Sequence, residues 1–202
     1  MNRRSLLALA LLAPFAARAA DLPAPAAPIA ALNDGLVRIA RAGRSTPFAS
    51  RVQILQPLVE QAFDLPLILQ NSVGLQWSSF TPQQKQDLLD AFTRWTIATW
   101  VANFDTDNGD SFQILPDTRT VGADQVVQTR LVPKSGEPTR LDYVMRNTGG
   151  AWKAVDILVD GSISRVAVQR SDFRSLLRGG NPAALIANLR DKAASLAAGS
   201  KS

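Results

Sequence analysis

The segment Trp152–Phe173 reads WKAVDILVDGSISRVAVQRSDF and combines a strand, a tight turn and a helix. Apolar and polar residues alternate from Ala151 to Val159, which predicts a strand with one buried face. Asp160-Gly161 is a turn dipeptide that commonly closes hairpins. Beyond it, apolar residues recur at the spacing of one helix face, and they are Ile163, Val166, Phe173 and Leu177. The segment therefore predicts a strand that turns directly into an amphipathic helix over 164–177.

Four helix patterns precede this segment, and one follows it. The predicted helices are Ile29–Ala42, Thr46–Ala62, Asp64–Val73, Thr81–Phe104 and a last one that begins at Asn181-Pro182. Pro57 lies inside the second pattern and is expected to kink or split that helix. Thr81-Pro82-Gln83-Gln84 offers an N-cap threonine, a proline at the first helical position and a capping-box glutamine. These signals make the fourth helix the most clearly bounded of the set.

The stretch between the helices has the character of strands. Short turn-rich connections separate four predicted strands, which are Ser111–Val121, Gln125–Pro133, Thr139–Asn147 and Ala151–Val159. Strands joined by such short connections form an antiparallel meander. Alternation predicts a mostly solvated outer face that carries Gln128, Arg130, Asp142 and Arg146. The inner face must be covered, so the expected fold is α+β, with N-terminal helices, a curved four-stranded antiparallel meander and C-terminal helices.

Composition excludes several chemistries. The chain has neither histidine nor cysteine. A Ser-His-Asp triad, a thiol nucleophile and a Cys/His zinc site are therefore impossible. A disulfide framework and a lipid anchor on cysteine are excluded for the same reason. Packing alone must hold the fold, and neither a metal nor a cofactor is expected.

The first residues have the pattern of a cleavable signal peptide over 1–19. Arg3 and Arg4 precede the apolar run Leu6–Ala17, which is too short to span a bilayer. Ala17-Arg18-Ala19 is an A-x-A site, so cleavage is expected between Ala19 and Ala20; the residues leave Sec and twin-arginine export both open. Loss of Arg3, Arg4 and Arg18 lowers the net charge of +5 to +2. Such a balance argues against a nucleic-acid partner.

The chain after the signal is predicted to be one domain. Residues 20–28 (ADLPAPAAP) resemble a flexible Pro/Ala linker. A single domain over 29–198 follows, and residues 199–202 are expected to fray. Its length suits one hydrophobic core.

The Trp152–Phe173 segment also carries a family resemblance. Its helix has the pattern S-x-V-x-x-x-R-x-x-F, from Ser164 to Phe173, and WSSFTPQQ from Trp77 supports the same comparison. The chain resembles the MlaC or toluene-tolerance auxiliary component family, and it looks closest to the hopanoid-associated HpnM branch. The resemblance implies an NTF2-like cone with an apolar cavity. It further implies a monomeric periplasmic shuttle that carries phospholipid or hopanoid between inner- and outer-membrane complexes of an ABC-type transport system, without catalysis.

The fourth helix has a broad apolar sector that suits either a core or a cavity wall. If it faces a cavity, it and the sheet supply the candidate lipid-binding residues. These are Leu69, Phe92, Trp95, Thr99, Trp100, Val127, Leu131, Leu141, Tyr143, Met145 and Phe173. Arg170 shares the apolar helix face, where it is expected to pair with Asp156 or Asp172 or to meet a lipid head group.

Two other functions remain open from the residues. Asp156 and Tyr143 could serve an isomerase or dehydratase on a cone-like fold, which requires both side chains to converge in one pocket. Alternatively the chain could be a periplasmic adaptor that binds no ligand, with apolar helix faces exposed as docking patches.

Overall fold

The computed structural model describes residues 22–177 and 179–199. Within them the chain forms six α-helices and a five-stranded sheet. The elements are α1 (Ala27–Ala42), α2 (Phe48–Ala62), α3 (Leu65–Val73), α4 (Pro82–Asn103), β1 (Ser111–Val121), β2 (Asp124–Val132), β3 (Thr139–Thr148), β4 (Ala151–Val159), β5 (Ile163–Ser164), α5 (Arg165–Arg174) and α6 (Ala183–Ala197). The predicted signal peptide over 1–19 and the tail residues 200–202 lie outside the described residues.

The sheet is an antiparallel meander in the order β1-β2-β3-β4-β5. The prediction of a mixed helical and antiparallel fold is confirmed, but the prediction of four strands is wrong. The fifth strand is only the pair Ile163-Ser164, which pairs with Leu158 and Val159 of β4. Two residues are too few to show a period-two pattern, and Ser164 also serves as the N-cap of α5. The pair therefore matches the pattern of the helix that follows, and the sequence does not predict it as a strand.

The turn between β4 and β5 explains why Asp160-Gly161 stands there. Both residues have positive φ, 52° for Asp160 and 74° for Gly161. Asparagine, aspartate and glycine tolerate this region best. A Cβ on Gly161 would also lie 2.8 Å from Cζ of Arg140. The turn is thus fixed by backbone conformation and by the side chain that packs on it.

The helices cover the sheet in pairs: α1 packs on α2, α3 on α5, and α4 on α6. The capping box predicted at the start of α4 is present, because Thr81 accepts from the Gln84 N–H and Gln84 accepts from the Thr81 N–H. Phe63, between α2 and α3, pairs with Ala154 of β4 as an isolated bridge. Its ring is buried between the helices and the inner sheet face.

Two N-terminal features differ from the expected pattern. Residues 24–26, which the sequence places in an extended linker, form a 3-10 turn in which Pro25 and Ala26 are buried. The turn lies against β2, β3 and β4, so apolar contact orders it. Pro57 does not split the second helix, since α2 continues through it. Pro57 and Gln53 are both exposed, so water can bond the Gln53 carbonyl that the proline leaves without a donor.

The outer sheet face is less solvated than the alternation predicts. Asp142 has no exposed surface, although the pattern assigns it to the wet face. Its two carboxylate oxygens accept from Nε and Nη2 of Arg140 at 2.9 and 2.6 Å. This carboxylate raises the pKa of the Arg140 guanidinium through the hydrogen bond. Arg140 packs over the β4–β5 turn. The Arg140–Asp142 pair therefore covers a part of the outer sheet face that the alternation pattern predicts to be solvated.

The buried carboxylate makes Arg140 a sensitive position for stability. Arg140→Met should lower the thermal unfolding midpoint by several degrees, because it leaves the Asp142 charge buried without a cation. Arg146→Met is a matched control. Arg146 forms an equivalent pair with Asp124, but the Asp124 side chain is 14% exposed. Equal effects of the two variants in differential scanning calorimetry would contradict the importance of Asp142 burial.

Candidate ligand-binding pocket

A pocket of about 560 Å³ lies between the inner sheet face and helices α3, α4 and α5. Its volume falls within the usual range of small-molecule sites, about 300–1,000 Å³. Strand register explains the sheet wall, because Leu141 lies opposite Val159 and Ile157 lies opposite Tyr143. Of these, Leu141, Val159 and Ile157 line the pocket. Leu131 and Thr139 continue the same wall at the end of the β2–β3 hairpin.

Helix α4 supplies the opposite wall through one continuous face. The residues that line the pocket are Phe92, Trp95, Thr96, Thr99, Trp100, Asn103 and Phe104. Their spacing of three and four positions is that of a single helix face. Most of this face is aromatic, and two threonines interrupt it at the middle. The wall is therefore apolar with isolated hydroxyl groups.

Aromatic contacts hold the pocket walls together. Phe63 stacks on Trp100 at 5.9 Å between ring centroids, and Trp100 stacks on Phe104 at 6.1 Å. Phe92 and Trp95 form a second group at 5.9 Å. These five rings all line the pocket. Because these rings are packed against each other, they cannot easily move into the pocket, and an apolar cavity remains.

Polar side chains gather where the pocket meets solvent. Asn103, Thr139 and Arg165 are exposed and border the pocket, and Asp110 is half-buried beside them. Arg165 is the one basic residue among the described residues of the lining. We call these four residues the polar rim. The arrangement suits an amphiphile with its apolar part inside and its polar part at the rim.

Gln169 places a further polar group inside the rim. Its Oε1 lies 3.0 Å from the Ser72 hydroxyl, whose single hydrogen it shares with the Ile68 carbonyl at 2.8 Å. The contact ties α5 to α3 across one side of the pocket. Gln169 itself lines the pocket, so its amide is available at the wall.

Asp156 holds helix α5 in place at the edge of the pocket. Its Oδ2 accepts from the Ser164 hydroxyl, and its Oδ1 accepts from the Val166 N–H at 3.1 Å. Oδ1 also accepts from the Ile157 N–H at 2.8 Å. A carboxylate is favourable beside the first N–H groups of a helix. Asp156 therefore anchors α5 to β4.

Tyr143 is buried, with 1% of its surface exposed, and it contacts Phe63 at 6.2 Å between ring centroids. The Tyr143 hydroxyl oxygen is buried and has no hydrogen-bond partner in the described residues. Burial raises the pKa of the phenol above its ordinary value. Tyr143 and Asp156 do not converge, since the strand register pairs Tyr143 with Ile157 but Asp156 with Val144. The pocket borders Asp156 but excludes Tyr143.

Arg170 does not form the ion pair that the sequence suggests. Its side chain is exposed, and Nε and Nη2 donate to the Asn71 carbonyl at 2.8 and 2.6 Å. Asn71 lies in the last turn of α3, where carbonyls lack helical partners and a cation is favourable. The expected pairing with Asp156 or Asp172 is therefore replaced by a contact that joins α5 to the end of α3.

The predicted lipid-binding residues divide between the pocket and the core. Six line the pocket: Phe92, Trp95, Thr99, Trp100, Leu131 and Leu141. Five are buried in the core behind it: Leu69, Val127, Tyr143, Met145 and Phe173. Their role in lipid binding stays a prediction for both groups.

Several lining residues were missed by the sequence pattern. Thr96, Asn103 and Phe104 share the α4 spacing and could have been found by extending it. Phe63 could not, because it reaches the pocket through its bridge to Ala154, a contact between residues distant in sequence. Leu65 and Ile68 occupy the face of α3 next to the predicted Leu69.

The described residues limit the chemistry of the site. They contain no group of three or more His, Cys, Asp or Glu side chains placed to hold a metal ion. None of the described helices combines the length and the apolarity that crossing a membrane requires. The apolar helix faces pack into the core, which removes the basis of the adaptor interpretation. What the geometry offers is an apolar pocket with a polar rim on an α+β scaffold.

Comparisons with known proteins agree with this α+β fold. The family model described as MlaC protein matches residues 31–191. The chain therefore belongs to the MlaC family. The search of curated proteins found no match. Among solved structures, the chain is similar to a phospholipid-binding protein from Ralstonia solanacearum, solved in complex with a phospholipid. The TM-score is 0.73 at 22% identity, and the match covers 87% of this chain and 99% of that one. This likeness establishes the shared fold.

The position of Asp156 predicts a structural effect on substitution. Asp156→Ala removes the acceptor of one hydroxyl and two backbone N–H groups, so it should lower the free energy of unfolding by about 2 kcal/mol. Asp172→Ala, on an exposed part of α5, should change it little. Chemical denaturation monitored by tryptophan fluorescence measures both. A destabilisation no larger than that of Asp172→Ala would contradict the anchoring role.

Proposed function

We propose that the protein is a lipid-binding carrier that takes a phospholipid into the α3–α4–α5 pocket and performs no covalent chemistry. The single observation that carries the proposal is the apolar pocket of about 560 Å³, which five fixed aromatic rings line. Membership of the MlaC family supports it. The phospholipid complex of the structurally similar protein supports the same class of ligand.

Apolar burial would supply most of the affinity. Each methylene transferred from water contributes about 0.8 kcal/mol, so an acyl chain outweighs any single polar contact. Aromatic stacking ties the pocket walls together, so less ordering is needed on binding. The energetic logic favours a long-chain amphiphile over a small polar metabolite.

The polar rim sets the expected orientation. Acyl chains would lie between α4 and the inner sheet face, and the head group would stay near Asn103 and Arg165. Arg165 can attract a phosphate there, while its exposure keeps the interaction modest. Hopanoid, which the HpnM resemblance implies, is the competing ligand and would fill the apolar part without a phosphate at the rim.

The proposal extends to location and partners. The signal-peptide pattern over 1–19 and the family support export to the periplasm, with cleavage between Ala19 and Ala20. There the protein would act as a monomer that moves lipid between membrane complexes of an ABC-type system. Among the described residues, the large apolar side chains with high exposure are Leu22, Leu75, Val121 and Ile163.

Purified mature protein should contain bound lipid in stoichiometric amount. Organic extraction followed by mass spectrometry measures it and separates phospholipid from hopanoid. Consistently empty protein, which also fails to extract labelled phospholipid from vesicles, would contradict the proposed function.

A pair of tryptophan substitutions tests the pocket itself. Val159→Trp adds a large side chain to the pocket wall and should reduce bound lipid at least tenfold, because the ring occupies the space of an acyl chain. Leu158→Trp is the matched control, since register turns this neighbour to the opposite sheet face beside Asp142. Both variants must first show native-like unfolding transitions. Equal lipid content in the two would place the ligand elsewhere.

A further inference from the structure

The hydroxyl of Thr96 is a polar atom without a hydrogen-bond partner in the part of the chain that the structure describes. It belongs to a residue that lines the apolar pocket. Thr99, one turn along the same face, is different, because its hydroxyl donates to the Trp95 carbonyl at 2.8 Å. Two pocket-lining threonines thus differ in one respect: only the Thr99 hydroxyl has a partner.

An unpaired hydroxyl in this position is unfavourable for the empty protein. Burial of a hydroxyl without a hydrogen bond loses its interaction with water and gains nothing in return. Valine would fill the same space without that loss. A ligand atom that accepts a hydrogen bond would remove the penalty, so the position favours a bound molecule with an acceptor inside the pocket.

The hydroxyl can reach the pocket by a side-chain rotation. Its oxygen is buried in the present conformation, although the residue forms part of the wall. Threonine on a helix occupies two χ1 wells. Rotation between them moves the hydroxyl to another position around Cβ without moving the backbone.

Thr96 lies between Asn103 of the polar rim and Phe92 on the pocket face of α4. Asn103 of the rim is about two helical turns away towards the C-terminus of α4. Phe92 is about one turn away in the opposite direction. A diacyl lipid with its head group at the rim carries its ester linkages between these two levels.

We infer that the Thr96 hydroxyl donates a hydrogen bond to an ester carbonyl oxygen of the bound lipid and so helps the pocket distinguish ester-linked from ether-linked chains. The inference rests on the proposed function. Thr99 is not equivalent, because its hydroxyl hydrogen is already used by the Trp95 carbonyl. Apolar burial supplies the affinity, and Thr96 sets the depth at which the linkage rests.

Competition between two lipids tests the inference directly. Delipidated full mature protein is mixed with vesicles that contain equal amounts of a diester phosphatidylglycerol and the diether of the same chain length, and bound lipid is quantified by mass spectrometry. The ratio of diester to diether should fall about three- to tenfold from wild type to Thr96→Val, which is the range expected for one neutral hydrogen bond. Thr96→Ser, which keeps the hydroxyl, should retain the wild-type ratio, and Thr99→Val should lower it less than Thr96→Val does.

Each outcome has a distinct meaning. If the protein binds both lipids and Thr96→Val keeps the wild-type ratio, Thr96 is a wall residue only and the inference is overturned, while lipid binding stands. If Thr99→Val lowers the ratio as much as Thr96→Val, the assignment to Thr96 is also overturned. If wild-type protein binds neither lipid, the proposed function itself fails. Lipid-free Thr96→Val should unfold at the wild-type temperature or above it, because it removes only an unpaired hydroxyl; a large decrease would overturn the claim that this hydroxyl has no internal partner.

Discussion

The contact of Phe63 with Trp100 and Tyr143 is the interaction on which the rest of the structure depends. Through its backbone, Phe63 pairs with Ala154 of β4, and the next residue, Asp64, donates its N–H to the Ala154 carbonyl. Through its ring it meets α4 and β3. One residue therefore fixes the distance between the helical layer and the inner sheet face. The Phe63 ring also lines the pocket, so the residue that joins the two layers forms part of the pocket wall.

Two polar contacts hold helix α5 in position, one at its first turn and one in its second half. Asp156 holds its first turn to β4, and Arg170 joins its second half to the last turn of α3. Both use helix-terminal backbone groups that need partners in any case. The apolar residues of α5 that are buried are Val166 and Phe173, so packing alone would hold this helix weakly. Polar anchoring compensates, and it places Val166 and Gln169 at the pocket wall.

Much of the fold could be predicted from the sequence, because its strongest signals are local. The capping box at Thr81, the strand alternation and the Asp160-Gly161 turn act over a few residues and mean the same in any context. Tertiary contacts decided what was missed. Asp142 is buried by Arg140 and the β4–β5 turn, and no alternation pattern contains that information. The site could be predicted only in part for the same reason. Periodicity identifies the apolar faces of α4 and α5, but only the packed structure separates Thr99, at the pocket, from Phe173, in the core behind it.

The pocket combines an apolar wall with a few separate polar groups, and these polar groups determine how it could select its ligand. Burial energy scales with area and is nearly indifferent to the position of a chain along the pocket. A wall of rings alone would accept many amphiphiles at many depths. Discrimination must then come from the few polar groups of the pocket, because the wrong ligand leaves them without hydrogen-bond partners. On the proposed function these belong to Thr96, Gln169 and Arg165, three polar residues that line the pocket. If the pocket holds lipid as proposed, changes to the rings should alter how tightly lipid is held, whereas changes to these three side chains should alter which lipid is held.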